Sequence, residues 1–363
     1  MQNPTVADQR APDSGSREVT ETSPGNRQKM TSGAWPGKQV LVVGEALTDI
    51  IDTAEGISEH PGGSPANVAL GLARLGVATS FLTALGRDAR GEAIAARLRA
   101  SGIEILTESW SLPVTSTALA DIQSGGAARY TFDLDWCLPV EAALPEVDHI
   151  HVGSVAAFLA PGADRVEEIV RELGQHATVS FDPNIRPALT GDPASALARF
   201  ERLVALSDIV KLSDEDAAYL YPSLTAQEAA RTIAGNGPVV AVTAGAGGSF
   251  LVSGGDIIGI EPVSTTVQDT VGAGDSYMSA LLTALLNLGR PPFNNSELAA
   301  AGTLAAQAAA VTVSRAGAEP PTLMDLQIVR LDEPAMPARI AEHSPRPAQA
   351  SSGLAPARLI KGC

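Results

Sequence analysis

The run Pro238-Val-Val-Ala-Val-Thr243 has the length and the β-branched composition of a buried parallel strand. Four further runs share this character, at 39–43, 149–152, 178–181 and 208–211. Helical patterns separate these runs, at 65–75, 89–100, 163–173, 194–205, 213–220 and 227–234. Because strands that alternate with helices form parallel sheets, we predict an α/β protein with a mostly parallel, doubly wound sheet between helices.

Two stretches, 48–57 and 115–132, have strand character but no helix after them. The second contains the turn Ser124-Gly-Gly126, and we expect the segments on either side of that turn to form a hairpin. The two stretches therefore predict a small β-lid outside the main sheet, from about 48–61 and 113–136.

The chain has 363 residues, and the polar composition of 1–36 and 334–363 predicts two poorly ordered tails around a domain of 37–333. Its 41 acidic and 25 basic residues give a net charge of −16, which disfavours a nucleic-acid partner. The two cysteines are too few for a disulfide framework or a Cys-rich zinc site. No apolar run resembles a signal peptide or reaches membrane-spanning length, so we expect a cytoplasmic protein that binds no membrane.

The segment Asp269-Thr-Val-Gly-Ala-Gly-Asp-Ser276 stands directly before an apolar helical run. Its glycines let the backbone turn tightly, so that the amides of Gly272, Ala273 and Gly274 can form an anion site at a helix start. Asp275 lies beside that site and can accept the proton of an attacking hydroxyl. An isolated Gly-x-Gly-Asp would more simply be a helix start with a first-turn acid. The eight-residue context favours phosphoryl transfer, with Asp275 as the catalytic base and the three amides stabilising the transferred group.

A second segment, Gly62-Gly-Ser-Pro-Ala-Asn-Val-Ala-Leu-Gly-Leu-Ala-Arg-Leu-Gly76, predicts a helix with Ser64 as its N-cap and Gly76 at its end. Gly63 leaves backbone open to a ligand, and Asn67 lies one turn into the helix, where its amide can reach sugar hydroxyls. A well-capped core helix would explain the apolar positions but not Gly63 and Asn67.

The sequence lacks the glycine-rich motifs of two other classes of nucleotide-binding site. No Gly-x-x-x-x-Gly-Lys-[Ser/Thr] segment occurs, which excludes a P-loop kinase. The turn after the first strand, Gly44-Glu-Ala-Leu47, has one of the three glycines that a nicotinamide site requires. We expect the histidines His149 and His151 to point to opposite faces of a strand and to make a poor metal pair.

The two glycine-rich segments resemble, in this order, the N-terminal and C-terminal signatures of the ribokinase-like (PfkB) carbohydrate kinases. The resemblance extends from about 40 to 321. It implies a sugar kinase that uses ATP and Mg²⁺, with the β-lid over the sugar. It places the sugar beside Asp49, Gly63 and Asn67. It places ATP beside Ser213, Thr243, Gly245 and Gly248.

The resemblance also implies two cation sites, and the sequence departs from the family pattern at both. Where relatives have Asn-x-x-Glu to organise Mg²⁺ through water, this chain has Ser213 and the shorter Asp216. A capped helix start with an acidic first turn explains these two residues equally well. Asp269 and carbonyl groups of 314–321 correspond to a site for potassium (K⁺), although Pro321 replaces a frequent serine.

The segment Ser180-Phe-Asp-Pro-Asn-Ile-Arg-Pro187 is similar to one that fructokinases share with 2-keto-3-deoxygluconate kinases. Arg186 can bind an acceptor carboxylate or stabilise charge near the transferred phosphate. We expect phosphorylation of a primary hydroxyl, with D-fructose converted to fructose 6-phosphate. The alternatives are a 2-keto-3-deoxygluconate kinase, for which the lid strand offers Arg129 and Tyr130, a ribokinase, and a non-catalytic sugar-sensing regulator. An exposed lid edge favours a homodimer.

Overall fold

Two sheets organise the part of the chain that the computed structural model describes, which is residues 37–54, 56–122, 128–326 and 358–359. In chain order the strands are β1 (Gln39–Val43), β2 (Leu47–Thr53), β3 (Gly56–Gly62), β4 (Ala78–Leu82), β5 (Glu104–Ile105), β6 (Thr117–Ile122), β7 (Ala128–Leu134), β8 (His149–Gly153), β9 (Thr178–Asp182), β10 (Ile209–Ser213), β11 (Val239–Thr243), β12 (Ser249–Ser253), β13 (Asp256–Ile260) and β14 (Arg358–Leu359). The helices are α1 (Ser64–Arg74), α2 (Ala89–Arg99), α3 (Gly162–Leu173), α4 (Pro193–Val204), α5 (Asp214–Leu220), α6 (Ala226–Ala234), α7 (Ala273–Leu288) and α8 (Asn295–Val313).

The larger sheet has nine strands among the described residues, in the order β13-β12-β11-β10-β9-β8-β1-β4-β5. Its strands from β11 to β5 run parallel, whereas β12 and β13 are antiparallel additions at one edge. This confirms the predicted mostly parallel sheet. The five predicted strand runs correspond to β1, β8, β9, β10 and β11.

Both faces of the larger sheet are covered by helices. Along β1, Leu41 and Val43 belong to one buried apolar cluster, while Val40 and Val42 belong to the other. The first cluster contains apolar side chains of α3, α4, α5 and α6, and the second contains those of α1, α2, α7 and α8. Because neither face of the central strands meets water, these strands are continuous apolar runs without alternation.

The two histidines of β8 correct one expectation. His149 and His151 are two positions apart, and side chains alternate with a period of two along a strand, so they share a face. The hydroxyl of Ser180 forms hydrogen bonds with Nε2 of His149 at 2.8 Å and with Nδ1 of His151 at 2.9 Å. Burial lowers the pKa of both histidines to about 3. They are neutral core residues in a hydrogen-bonded group.

The smaller sheet has the order β14-β7-β6-β2-β3. The stretch expected as one strand at 48–57 forms the antiparallel pair β2 and β3. The expected hairpin is present as β6 and β7, and its turn at 124–126 lies outside the described residues. Since β6 also pairs with β2 in parallel, the two hairpins form one sheet. Its function as a lid remains a prediction.

The predicted tails lie largely outside the described residues. Within 334–363, Arg358 and Leu359 pair with β7, although the sequence led us to expect a poorly ordered segment there. The domain limits 37–333 remain a prediction. Among the helices described, none has the length and apolar character needed to cross a membrane.

Candidate active site

The glycine-rich segment at 269–276 forms a tight turn into α7. Gly272 is the N-cap and has a φ of 76°, and a Cβ at this position would lie 2.7 Å from the Cβ of Ala318. The backbone conformation and the space therefore both require glycine. The amide of Ala273 donates a hydrogen bond to the carbonyl oxygen of Thr270 at 3.3 Å. Asp275 follows in the first helical turn and is buried.

Asp275 joins the two signature segments, which are about 200 residues apart in sequence. The hydroxyl of Ser64 donates to its Oδ1 at 2.6 Å, and the amide of Asn67 donates to its Oδ2 at 2.9 Å. Burial raises the pKa of Asp275, and these two hydrogen bonds oppose the shift. A raised pKa suits a group that must accept a proton near neutral pH.

The contact with Asp275 corrects the predicted cap of α1. Gly63 occupies the N-cap position, and Ser64 is the first residue of the helix and makes no capping hydrogen bond. Sequence alone could not separate the two uses, because the same hydroxyl suits a cap or a carboxylate. Asn67, predicted to contact the sugar, faces the predicted base.

The residues predicted to bind the acceptor lie at the junction of β2, β3 and α1. A Cβ on Gly62 would lie 1.9 Å from Oδ2 of Asp49, so this carboxylate packs directly on the glycine backbone. Gly63 has a φ of 104° and approaches the carbonyl oxygen of Glu45. Burial raises the pKa of Asp49 to about 6, and the nearby His60 opposes the shift. The site is therefore lined by carboxylates and backbone.

Arg186 brings a positive charge to this acidic region. Its side chain is exposed, and its Nη1 donates to Oδ1 of Asn184 at 2.8 Å. Its charge lowers the pKa values of Glu45, Asp49 and Asp275, against the larger effect of burial on each. Arg186 is thus close enough to act on the predicted base and on the predicted acceptor-binding acid.

Glu45 is a site residue to which the sequence assigned no role. It follows β1, is buried, and its Oε2 accepts a hydrogen bond from the amide of Ala156 at 2.9 Å. Burial raises its pKa to about 7, and a hydrogen bond from Ser154 opposes the shift. A signal in the sequence was an acidic residue two positions after a buried strand.

We expect Glu45→Gln to stabilise the protein at pH 8. Because the folded chain holds this proton more tightly than the unfolded chain, stability falls as the pH rises from about 4 through 7. Glutamine carries no charge and removes this cost, which is on the order of 2–3 kcal/mol at pH 8 and smaller at pH 5. Thermal denaturation at both pH values measures the difference, with the exposed Glu261→Gln as control. A change in Tm that is equal at the two pH values would contradict the raised pKa.

A buried ion pair lies behind the turn into α7 and was also missed. Nζ of Lys211, on β10, donates to Oδ2 of Asp182, on β9, at 2.9 Å, and both side chains are at most 5% exposed. A Cβ on Gly274 would lie 2.9 Å from the same Nζ. Burial raises the pKa of Asp182 to about 6, against the opposing charge of Lys211.

The residues predicted to bind the nucleotide lie at the same carboxyl edge of the sheet, beyond β9. Ser213 and Thr243 are neighbours at the ends of β10 and β11. A short 3-10 turn at Gly245–Gly247 follows, and Gly248 has a φ of 85° with no room for a Cβ beside the carbonyl oxygen of Ile260. Ligands of open α/β sheets bind at this edge.

Asp216 has the contacts of a capping residue. Its Oδ2 accepts from the amide of Ser213 at 2.9 Å, and the hydroxyl of Ser213 accepts from the amide of Asp216 at 3.0 Å. Its Oδ1 accepts from the amide of Ile185 at 2.7 Å. Of the two explanations weighed from the sequence, the capped helix start is the one for which the structure supplies contacts.

Asp269 connects the turn before α7 to the later loop. Its Oδ2 accepts from the amide of Gly317 at 2.8 Å, and its Oδ1 accepts from the amide of Val271 at 3.0 Å. The loop at 314–321 thus contacts Asp269 through Gly317, and a cation site formed by the two remains a prediction. The described residues contain no cluster of three or more His, Cys, Asp or Glu side chains able to hold a metal ion.

A buried acid at a glycine-initiated helix start, at the carboxyl edge of a mostly parallel sheet, is the arrangement of a sugar kinase with the ribokinase-like fold. Residues 38–324 match the pfkB family carbohydrate kinases, and the chain belongs to this family. The resemblance inferred from the two signature segments is confirmed. The protein is a carbohydrate kinase that resembles fructokinases.

Individual relatives agree with this assignment. The chain is 32% identical over 270 residues to the fructokinase of Salmonella typhimurium, covering 70% of this chain and 86% of that protein. It is 33% identical over 260 residues to the fructokinase of Vibrio alginolyticus, covering 68% and 84%. A fructokinase double mutant of Vibrio cholerae O395, solved with fructose, ADP and a potassium ion, has a TM-score of 0.70 and 25% identity, with 80% of this chain and 97% of that chain covered.

Proposed function

We propose that the chain transfers the γ-phosphoryl group of ATP to the 6-hydroxyl of D-fructose. The observation that carries the proposal is the buried Asp275 carboxylate, held by Ser64 and Asn67 at the start of α7. In this reaction the fructose oxygen attacks the γ-phosphorus and Asp275 accepts the hydroxyl proton. The bond from the γ-phosphorus to the β,γ-bridging oxygen breaks, and ADP leaves with that oxygen.

The turn into α7 would stabilise the transferred group. Charge spreads over the phosphoryl oxygens in the transition state, and amides at a helix start are suited to it. We assign this role to Gly272, Ala273 and Gly274. The hydrogen bond from the amide of Ala273 to Thr270 is long at 3.3 Å, so it competes weakly with a phosphoryl oxygen.

The nucleotide would bind along Ser213, Thr243, Gly245 and Gly248. Mg²⁺ in such sites keeps several waters and takes its other ligands from phosphates and one or two carboxylates. The described part of the chain fits that pattern. Asp216 lies near the carboxyl edge of the larger sheet, and no group of three or more His, Cys, Asp or Glu side chains there could enclose the ion. Each oxygen of Asp216 retains a second lone pair beside its amide contact, which could accept a metal-bound water. When bound, Mg²⁺ would neutralise part of the charge on the phosphates.

Fructose is favoured over a sugar acid by the charges of the acceptor site. Three carboxylates face this region, the buried Glu45 and Asp275 and the half-buried Asp49, and the exposed Arg186 is the cation whose charge acts on all three. An acceptor carboxylate would add repulsion that one guanidinium group offsets only in part. The names of the relatives support the same choice.

The test is kcat/KM with ATP and Mg²⁺ across fructose, ribose, tagatose, adenosine and 2-keto-3-deoxygluconate. We expect fructose to lead by more than about tenfold, which is about 1.4 kcal/mol of transition-state discrimination. A tenfold preference for 2-keto-3-deoxygluconate would overturn the fructokinase proposal. A preference for ribose would leave the sugar-kinase class intact and change the acceptor.

We also propose modest activation by potassium. The contact between Asp269 and Gly317 brings the acid and the later loop together, as a cation site requires. We expect kcat to rise about two- to fivefold when potassium replaces a bulky organic cation, since the ion would stabilise the turn at Gly272. Steady-state rates at constant ionic strength measure this effect. Equal rates in the two cations would contradict it.

We also propose that two copies of the chain form a homodimer through the smaller sheet. β3 is the edge strand of that sheet, and its first five residues are exposed. One of these residues, the apolar Ile57, is 68% exposed. An open strand edge with an exposed apolar side chain favours pairing with a second chain.

A further inference from the structure

The Lys211–Asp182 pair is directly behind the turn that starts α7. The Lys211 ammonium group occupies the space in which a side chain at position 274 would lie, since a Cβ there would be 2.9 Å from Nζ. This places a fixed positive charge inside the protein, beside Gly274, the residue that precedes Asp275. Asp182 fixes the ammonium group through a 2.9 Å hydrogen bond from the neighbouring strand.

The Lys211–Asp182 pair is not an efficient source of folding stability. Lys211 is 4% exposed and Asp182 is 1% exposed, so both charges lose their hydration. Within the described structure, Oδ1 of Asp182 is buried and has no hydrogen-bond partner. A buried ion pair of this kind often contributes no more stability than apolar residues of the same size. The ammonium group of the pair instead lies beside Gly274, next to Asp275, the acid at the helix start.

We propose that Lys211 is a positioning residue for phosphoryl transfer, which holds a fixed positive charge against Gly274, at the helix start that carries Asp275. The inference rests on the proposed function. Asp182 orients the ammonium group through its hydrogen bond. In this role Lys211 acts through Asp275 and the helix start.

The surroundings of Asp275 agree with this role. Besides the neutral donors Ser64 and Asn67 on α1, the charged groups that face it are Lys211 on β10, Arg186 after β9, and Asp182 on β9. Burial raises the pKa of Asp275, and the charge of Lys211 is among the effects that lower it. Arg186 is exposed to solvent, whereas Lys211 is buried and less screened.

The test compares the wild type with the double variant Lys211→Met/Asp182→Asn, which removes both charges with little change of volume. The pKa of Asp275 is measured directly by carbon-13 NMR of labelled aspartate, with Asp275→Asn used to assign the signal. We expect the pKa to rise by roughly 0.5–1 unit. In parallel, kcat at a pH below the pKa of Asp275 should fall about three- to tenfold, and the acid limb of the kcat/KM profile should move to higher pH.

The matched control is Lys38→Met/Asp148→Asn, which removes a Lys–Asp pair of similar length, 2.8 Å, at the surface. It should change neither the pKa of Asp275 nor kcat. If the buried double variant does not fold, Lys211→Gln takes its place, because it keeps side-chain length and N–H donors. An unchanged pKa of Asp275 with kcat within twofold of wild type, in whichever variant folds, overturns the proposal. The NMR measurement needs no acceptor, so failure of the fructose assignment would remain distinguishable.

Discussion

The Asp275→Asn variant is expected to lose roughly 10²–10⁴-fold in kcat, because a positioned general base contributes about that factor. The amide cannot accept the proton of the fructose hydroxyl at neutral pH. Affinity for ATP, measured by calorimetry, should change less than threefold, since the nucleotide residues lie beyond β9. Together, kcat and the affinity for ATP distinguish loss of the general base from disruption of the whole active site.

The stability of this variant provides an independent check. Burial raises the pKa of Asp275 above its unfolded value, so the ionised carboxylate costs stability at any pH above that shifted pKa. We therefore expect the Tm of Asp275→Asn at pH 8 to equal or exceed that of the wild type. The control is Asp164→Asn, since Asp164 is also the third residue of its helix but is exposed and remote from the site. Wild-type turnover by purified Asp275→Asn would refute the assignment of the base.

Much of this site was predictable because its parts carry distinctive local patterns. Gly272 marks a turn that other residues cannot make, and Gly274 and Asp275 follow it in the first turn of α7. The strands around the site were predictable because they are buried on both faces and form unbroken apolar runs. The edge strands β12 and β13 were not, since their pairing depends on the partner strand and not on a local pattern.

The interactions behind the turn could not be predicted from the sequence. Lys211 lies in a run that otherwise indicates a buried strand, and nothing local shows that its ammonium group meets Asp182, 29 residues earlier. The role of Ser64 was hidden for a related reason. A serine before Pro65 satisfies the rules for a cap, and only the position of α7 shows that its hydroxyl is directed to Asp275. Long-range polar contacts of this kind require the folded arrangement.

The Arg186→Met variant is expected to retain its fold and to lose roughly 10²-fold in kcat, because a cation beside the transferred phosphoryl group stabilises the charge of the transition state. Arg186 is exposed, and its described hydrogen bonds go to Asn184 and to the carbonyl oxygen of Ile185. The KM for fructose should change less than threefold, since an uncharged sugar gains little from this charge before the reaction begins.

Two further variants decide how Arg186 acts. Arg186→Lys keeps the charge but loses the planar pair of donors, so we expect it to recover only part of the lost rate. Arg231→Met removes an exposed arginine of α6 and should match the wild type. If Arg186→Met instead raised KM for 2-keto-3-deoxygluconate and left kcat with fructose unchanged, Arg186 would be a ligand for an acceptor carboxylate. That result would favour the sugar acid as the physiological substrate, because a guanidinium group bonds more strongly to a carboxylate than to a neutral hydroxyl.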